Sequence, residues 1–389
     1  MRIEKGTYFV GGEKTNMFDA LNIAVIGAGG FAHFATSEFI QVPGVTLAGI
    51  YDENRENALR LKQIELKAKI FDTLDELCRD PSIDLVYIAT PPFLHYAQSK
   101  KALLAGKHVI CEKPAAITLP HALELKNIAS DRKLLFVVNL MQRYNKLYDA
   151  VRKLIEHHVL GDFLHGFFEN YASDEFLTEQ HWFWDEDKSG GIFIEHGVHF
   201  FDMFSGWLGD AKVIAAQKSN RRGFKNVWDR VQASVQYSGG CVHFYHGFDQ
   251  PKAMDRQEMR LLFEKGEITL YEWVPTRLKM TALCDDVNLK TLRSIFPKAS
   301  IETIEGHDED KVCHGRFKEI KYRYKIKLDT GGAVEKQVLY QELVTAMFKD
   351  QLTWLKDREH VRKITDLNAV DSLRLAEEAE SVAIKLQGE

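Results

Sequence analysis

Between Asn22 and Val138, short apolar runs alternate with amphipathic stretches: "NIAVIG", a helix-like "FAHFATSEFI", "VTLAGIYD", "ENALRLKQIEL", "DLVYIATPP", "YAQSKKALLAG", "KHVICE", "HALELKNIASDR" and "KLLFVVNL". The apolar runs are too uniform for half-exposed strands, so the alternation predicts a parallel sheet covered by helices on both faces. Beyond about residue 150 the texture changes. "DRVQASVQY" alternates Val231, Ala233, Val235 and Tyr237 with polar neighbours, turns at "SGG" and returns as "CVHFYHGF", which predicts a hairpin in an open, mainly antiparallel sheet with one wetter face. "RLLFEKGEITLYEW" repeats strand, turn and strand around Gly266. In the tail, Leu367, Val370, Leu373, Leu375, Ala376, Ala379 and Val382 recur at mostly helical spacing, so an amphipathic helix is expected to close the chain.

Composition narrows the function classes. With 389 residues, 45% of them hydrophobic and 28% charged, the chain can bury more than one core. A net charge of -5 offers no bulk attraction to phosphate backbones or anionic membranes, so neither nucleic acid nor membrane is an expected partner. The first twenty residues lack an apolar leader segment, and five cysteines form no C-x-x-C pair; a cytoplasmic protein with free thiols is expected.

"GAGGFA" follows the apolar "IAVI" and opens a helix, placing Gly27, Gly29 and Ala32 as a G-x-G-x-x-A dinucleotide fingerprint, with Ala28, Gly30 and Phe31 between them. Gly27 permits the tight turn, Gly29 lets the backbone approach a pyrophosphate, and Ala32 allows close helix-strand packing. Asp52 ends the next strand, 25 positions after Gly27, where a carboxylate meets the ribose hydroxyls and repels a 2'-phosphate. NAD is therefore expected over NADP, with Arg55 as the opposing charge nearby.

"SGGIFIEHGVHFFD", residues 189 to 202, holds Glu195, His196 and His199. On a regular helix Glu195 and His199 stack at i, i+4; the residues alone leave open a metal site, an acid/base pair or plain packing.

"YIATPPFLHYAQSKKALLAGKHVICEKPAA" resembles the signature of the glucose-fructose oxidoreductase, inositol dehydrogenase and rhizopine catabolism protein family, Gfo/Idh/MocA. The resemblance covers about residues 20 to 275 and the C-terminal helix. It implies an N-terminal Rossmann NAD-binding domain over 20–142, an α+β substrate and oligomerisation domain over 143–365, a closing helix over 366–389 and an extension over 1–19. It also implies that Lys113 sits beside the nicotinamide while Glu195 and His199 face it across the substrate. By the same mapping Thr90, Pro91, His95 and Glu112 line the cofactor side, Arg143 and Tyr144 fall in the substrate region, and Asp202 closes the motif. Ile192 stands where the family has a third glycine, and Glu195 where it more often has aspartate.

The implied activity is hydride transfer between the nicotinamide and a secondary hydroxyl of a sugar, sugar derivative or cyclitol. His199 would be the general base, Glu195 its orienting carboxylate and Lys113 the oxyanion partner, with no metal required. His196 and Trp184 are expected to contact substrate, Trp184 by stacking on a sugar ring. A homodimer or homotetramer paired through the open sheet is implied as well. Two other readings remain at this point: an NAD-using glycosidase that oxidises, eliminates and re-reduces, and a non-catalytic sensor of dinucleotide and ligand. Residues 281–330 receive no assignment.

Overall fold

The computed structural model describes residues 7–10, 13–16, 20–221, 227–315, 318–332 and 334–386. The chain forms two compact units, one of Met1–Met141, Asp185–Gly190 and Gln341–Arg374, the other of Gln142–Trp184, Gly191–Tyr340 and Leu375–Glu389.

The first unit is built on six parallel strands in the order Lys69–Ile70, Val45–Tyr51, Leu21–Ile26, Leu85–Ile88, His108–Cys111 and Phe136–Val138. Residues such as Ile23, Val25, Val86 and Ile88 are fully buried, as strands covered on both faces require. Strand order reverses beside Leu21–Ile26, and such a switch point opens a ligand crevice at the C-terminal strand ends. Each expected helix follows its strand, among them Gly30–Phe39, Pro92–Leu104 and Leu119–Asp131. Asn54 and Thr73 cap the shorter helices Arg55–Leu61 and Leu74–Arg79 through their side-chain oxygens.

Among the described residues the second unit carries a mixed, mainly antiparallel sheet of ten strands. The expected hairpin is Arg230–Tyr237 with Gly240–Gln250, in register Val231 to His246 and Val235 to Val242. Phe163–Ser173, which the hydrophobic pattern did not single out, pairs parallel to Gly240–Gln250 and antiparallel to Arg256–Phe263 at the sheet centre. Residues 281–330, unassigned from sequence, supply the end of strand Arg277–Cys284, the helix Asp286–Ile295 and a long hairpin, Ser300–Gly315 with Lys318–Asp329, at one edge.

The expected division into 20–142, 143–365 and 366–389 needs correcting in its later parts. Helices Lys336–Lys356 and Asp366–Val382 are each divided between the units, with Gln341–Lys356 and Asp366–Arg374 in the first, where Phe348 stacks on Phe39 at 4.1 Å. The closing helix also stops at Val382, and Ala383–Leu386 become a strand parallel to Ala211–Ser219, satisfying an edge that would otherwise expose backbone donors and acceptors. Of the expected extension over 1–19, Thr7–Val10 and Glu13–Asn16 lie within the described residues, as an antiparallel pair. Residues 387–389 of the expected closing helix lie outside them. Among the described residues no helix is long and apolar enough to cross a membrane.

Candidate active site

The glycine loop sits at the switch point of the first unit. Gly27 holds φ +84°, and a Cβ there would come within 2.8 Å of the Ala89 backbone, so only glycine fits. At Gly29 and Gly30 a Cβ would meet nothing within 4 Å, which leaves open space above the amides that begin helix Gly30–Phe39. That helix has no acid in its first turn, so a pyrophosphate would meet its positive end unopposed. The loop thus fits a dinucleotide. Ala32 is fully buried, in keeping with its packing role, and Phe31 contacts Phe34 at 5.7 Å.

Asp52 is tied to the same loop. One carboxylate oxygen accepts the Ala28 N–H at 2.6 Å and the other accepts the Asn54 N–H at 2.7 Å, so the acid also sets the loop's shape. Gly27, Gly29, Asp52, Thr90, Pro91 and Gln98 line one cleft of about 240 Å³. Ala28, Gly29 and Gly30 border a second of about 490 Å³, to which His33 and Arg60, unassigned from sequence, contribute.

His95 and Glu112 serve this region from behind. His95 is fully buried, its ring nitrogens each 2.7 Å from a carbonyl oxygen, Pro114 and Thr90 respectively, so it braces the two segments expected to line the cofactor. The Glu112 carboxylate accepts from the Tyr87 hydroxyl at 2.6 Å and the Asn139 amide at 2.9 Å. It ties the ends of three adjacent strands, and burial pushes its pKa up. Both were expected on the cofactor side, and the contacts above brace the segments there. Lys113, at the C-terminal end of His108–Cys111, is half-buried and followed by a cis peptide to Pro114.

In the second unit, Phe193–Gly197 form a π-helical turn that runs into the α-helix Val198–Leu208. The stacking expected on a regular α-helix is therefore altered: the wider turn lets Phe193, Phe200 and Phe201 all reach the core while Glu195 and His199 keep 9% and 7% exposure. Such turns recur at functional sites. His196 is half-buried against Phe200, Phe248 and His246, at ring distances of 5.2, 5.1 and 5.3 Å. His246 was not foreseen. Fully buried between Phe168, Phe193 and Phe200, with neither ring nitrogen hydrogen-bonded, it has its pKa pushed down to about 3 by burial. Among the described residues no three metal-ligating side chains converge.

Two expected substrate residues have other work. Arg143 donates from Nε and Nη2 to the two oxygens of Asp202, both at 2.8 Å, and also to the Asp202 carbonyl. Its hydrogen-bonding fork thus fastens the turn Met141–Tyr144 to helix Val198–Leu208. Trp184 is 8% exposed, with its indole N–H donating to the Leu177 carbonyl at 3.3 Å and its ring packed on Phe183, so it is a core side chain. Tyr144 is half-buried.

Two aromatic rings lie 6.4 Å from the His199 ring between centroids, Phe200 of the same helix and Trp273, which is distant in sequence and half-buried. Trp273 follows Glu272, whose φ of +78° is unusual for a residue with a side chain and whose carboxylate pairs with Lys336 at 2.7 Å. The "YEWVP" stretch contains a tryptophan at a strand end, but sequence spacing gave no sign that it meets a histidine some seventy residues earlier.

A doubly wound parallel sheet with a glycine loop at its switch point defines a dinucleotide-binding class of fold. The chain belongs to the GFO_IDH_MocA oxidoreductase family, described by its NAD-binding Rossmann fold: that profile matches residues 21–140, and the family's C-terminal domain matches residues 148–269. Glucose-6-phosphate 3-dehydrogenase of Bacillus subtilis is 31% identical over 185 residues, 46% of this chain and 52% of that protein. The matches span about half the length of such curated relatives. Levoglucosan dehydrogenase, solved with NADH and levoglucosan, has a TM-score of 0.73 at 17% identity, covering 93% of this chain and 97% of that one. Biliverdin reductase from Synechocystis, solved with biliverdin and NADP+, has a TM-score of 0.69 at 15% identity, covering 93% and 99%. At these identities the two structures share the fold with this chain.

Proposed function

We propose that this chain is an NAD(H)-dependent oxidoreductase acting on a secondary hydroxyl of a sugar, sugar derivative or cyclitol. The observation that carries the reading is the π-helical turn with Glu195 running into the α-helix with His199, a carboxylate and an imidazole that are both nearly buried, the imidazole beside Trp273, in a chain of this family. The activities of relatives, a glucose-6-phosphate 3-dehydrogenase and a scyllo-inositol 2-dehydrogenase among them, support the substrate class.

A bound nicotinamide would supply the acceptor for the carbinol hydrogen. His199 takes the hydroxyl proton as general base, and Glu195 orients the ring and stabilises its charged form. Lys113 holds the developing oxyanion. Proton transfer by a positioned group contributes about 10²- to 10⁴-fold, with electrostatic stabilisation added to it. Trp273 offers an apolar wall for the face of the sugar ring, the part first given to Trp184.

Asp52 supports NAD over NADP, because its carboxylate would stand against a 2'-phosphate. We further propose a cytoplasmic homodimer or homotetramer that pairs through the outer face of the large sheet; the five free thiols fit a reducing compartment. The test is spectroscopic: purified protein with NAD and a panel of hexoses, anhydrosugars and inositols. NADH formation dependent on one of them is the expected result, and none with either NAD or NADP would sink the reading. Light scattering at micromolar concentration tests the assembly, and a monomer would count against it.

A further inference from the structure

A charged cavity of about 470 Å³ lies in the first unit, apart from the clefts at the glycine loop, against the last turn of helix Leu119–Asp131 and Phe136, the residue that begins its strand. That is the N-terminal end of the sheet, opposite the strand ends that carry the glycine loop. Lys126, Lys133, Arg358 and Arg362 line it with a single carboxylate, Asp366, in a chain whose overall charge is negative. Asp366 lies 3.9 Å from Arg362. Among the described residues, none of Lys126, Lys133 and Arg358 forms an ion pair.

Trp354 forms part of the wall, and two guanidiniums share its ring, Arg358 at 3.8 Å and Arg362 at 4.2 Å from the centroid. Covering an exposed indole needs only one cation. Two cations on one indole repel each other, a cost that a bound anion would remove. The Arg358 charge already reaches His108, which burial first and that charge second hold down to about 4.

Lys133 adds an independent observation. It stands just beyond the helix end with φ +56°, the left-handed conformation normally taken there by glycine, while its N–H and that of Leu134 return to Ser130 and Ala129. The helix end would be better served by glycine. A lysine in that place keeps a charge on the cavity rim.

We propose that this cavity binds a small phosphate-bearing anion at a site separate from the dinucleotide loop. Paired guanidiniums match phosphate oxygens in a fork geometry, and the two lysines add point charges around it.

The test is calorimetric titration of the full chain with inorganic pyrophosphate at about 0.15 M ionic strength, where contacts to scattered surface charges are screened. Saturable binding is expected, weakened about ten-fold or more by Arg358→Ala and by Lys133→Gly, the scale of a lost charged contact. Lys133→Gly should leave the melting temperature unchanged or raised, because glycine relaxes the helix end. Gly29→Asp, which places a negative charge in the open space of the dinucleotide loop and blocks pyrophosphate there, should leave intact the pyrophosphate binding that Arg358→Ala weakens. Absence of saturable binding, binding indifferent to both cavity variants, or loss in Gly29→Asp would each overturn the proposal.

Discussion

Arg143 and Asp202 form a two-pronged ion pair, 2.8 Å on each prong, with the Asp202 carboxylate 1% exposed. The guanidinium is spent on holding the helix that carries His199. Arg143→Ala should therefore cost about 3–5 kcal/mol of stability, because it strands a buried carboxylate. Arg143→Lys should recover only part, lacking the fork. Urea unfolding checks this. Unchanged stability with a raised KM alone would return Arg143 to the substrate.

Asp52 has two duties, and its variants should separate them. Wild type is expected to bind NAD(H) more tightly than NADP(H), measured by tryptophan quenching. Asp52→Ala should narrow that gap and weaken both cofactors, since the Ala28 and Asn54 amides lose their acceptor. Equal or tighter binding of NADP by wild type would refute the preference.

The two tryptophans should behave differently. Trp273→Ala should lower kcat/KM by about ten-fold, the scale of a lost ring contact, with little change in melting temperature. Trp184→Ala should instead destabilise by about 3–5 kcal/mol, as a buried large-to-small change. Steady-state kinetics beside thermal melts would expose a reversal of the two patterns.

His199→Ala and Lys113→Ala should each reduce turnover by about two or more orders of magnitude while NAD binding persists. Glu195→Gln should do less, because a hydrogen bond to the ring can survive. Dialysis against a chelator should leave activity intact; loss restored by zinc or manganese would make the turn a metal site.

Acid should weaken the fold through two imidazoles, the buried His246 and the half-buried His108. His246 and His108 have pKa values pushed down to about 3 and about 4, both below the unfolded value of 6.5. Below pH 6.5 the unfolded chain takes up protons that the folded one refuses, so stability falls toward pH 4, by about 1.4 kcal/mol per pH unit for each histidine at most. His246→Phe should flatten that slope between pH 6.5 and 4, and an unchanged slope in urea titrations would rule His246 out as its source.

Much of this protein could be read from local pattern. The uniform apolar runs from Asn22 to Val138 became parallel strands, and the alternation at Val231 to Tyr237 became a half-buried hairpin, because strand burial repeats with period two or fills both faces. Gly27, Gly29 and Asp52 were legible for the same reason: a tight turn and its following acid lie close in sequence, and their spacing carries the geometry. The tertiary structure decided what depends on neighbours distant in the chain. It committed Arg143 to Asp202, 59 residues away, drew Glu112 to Tyr87 and Asn139, buried Trp184, and set Trp273 beside His199. It also put the π-helical turn under Glu195 and made a strand of Ala383–Leu386. A side chain's type limits which contacts it can make, but only packing selects the partner, because charge and ring faces are satisfied by whichever group the fold brings within reach.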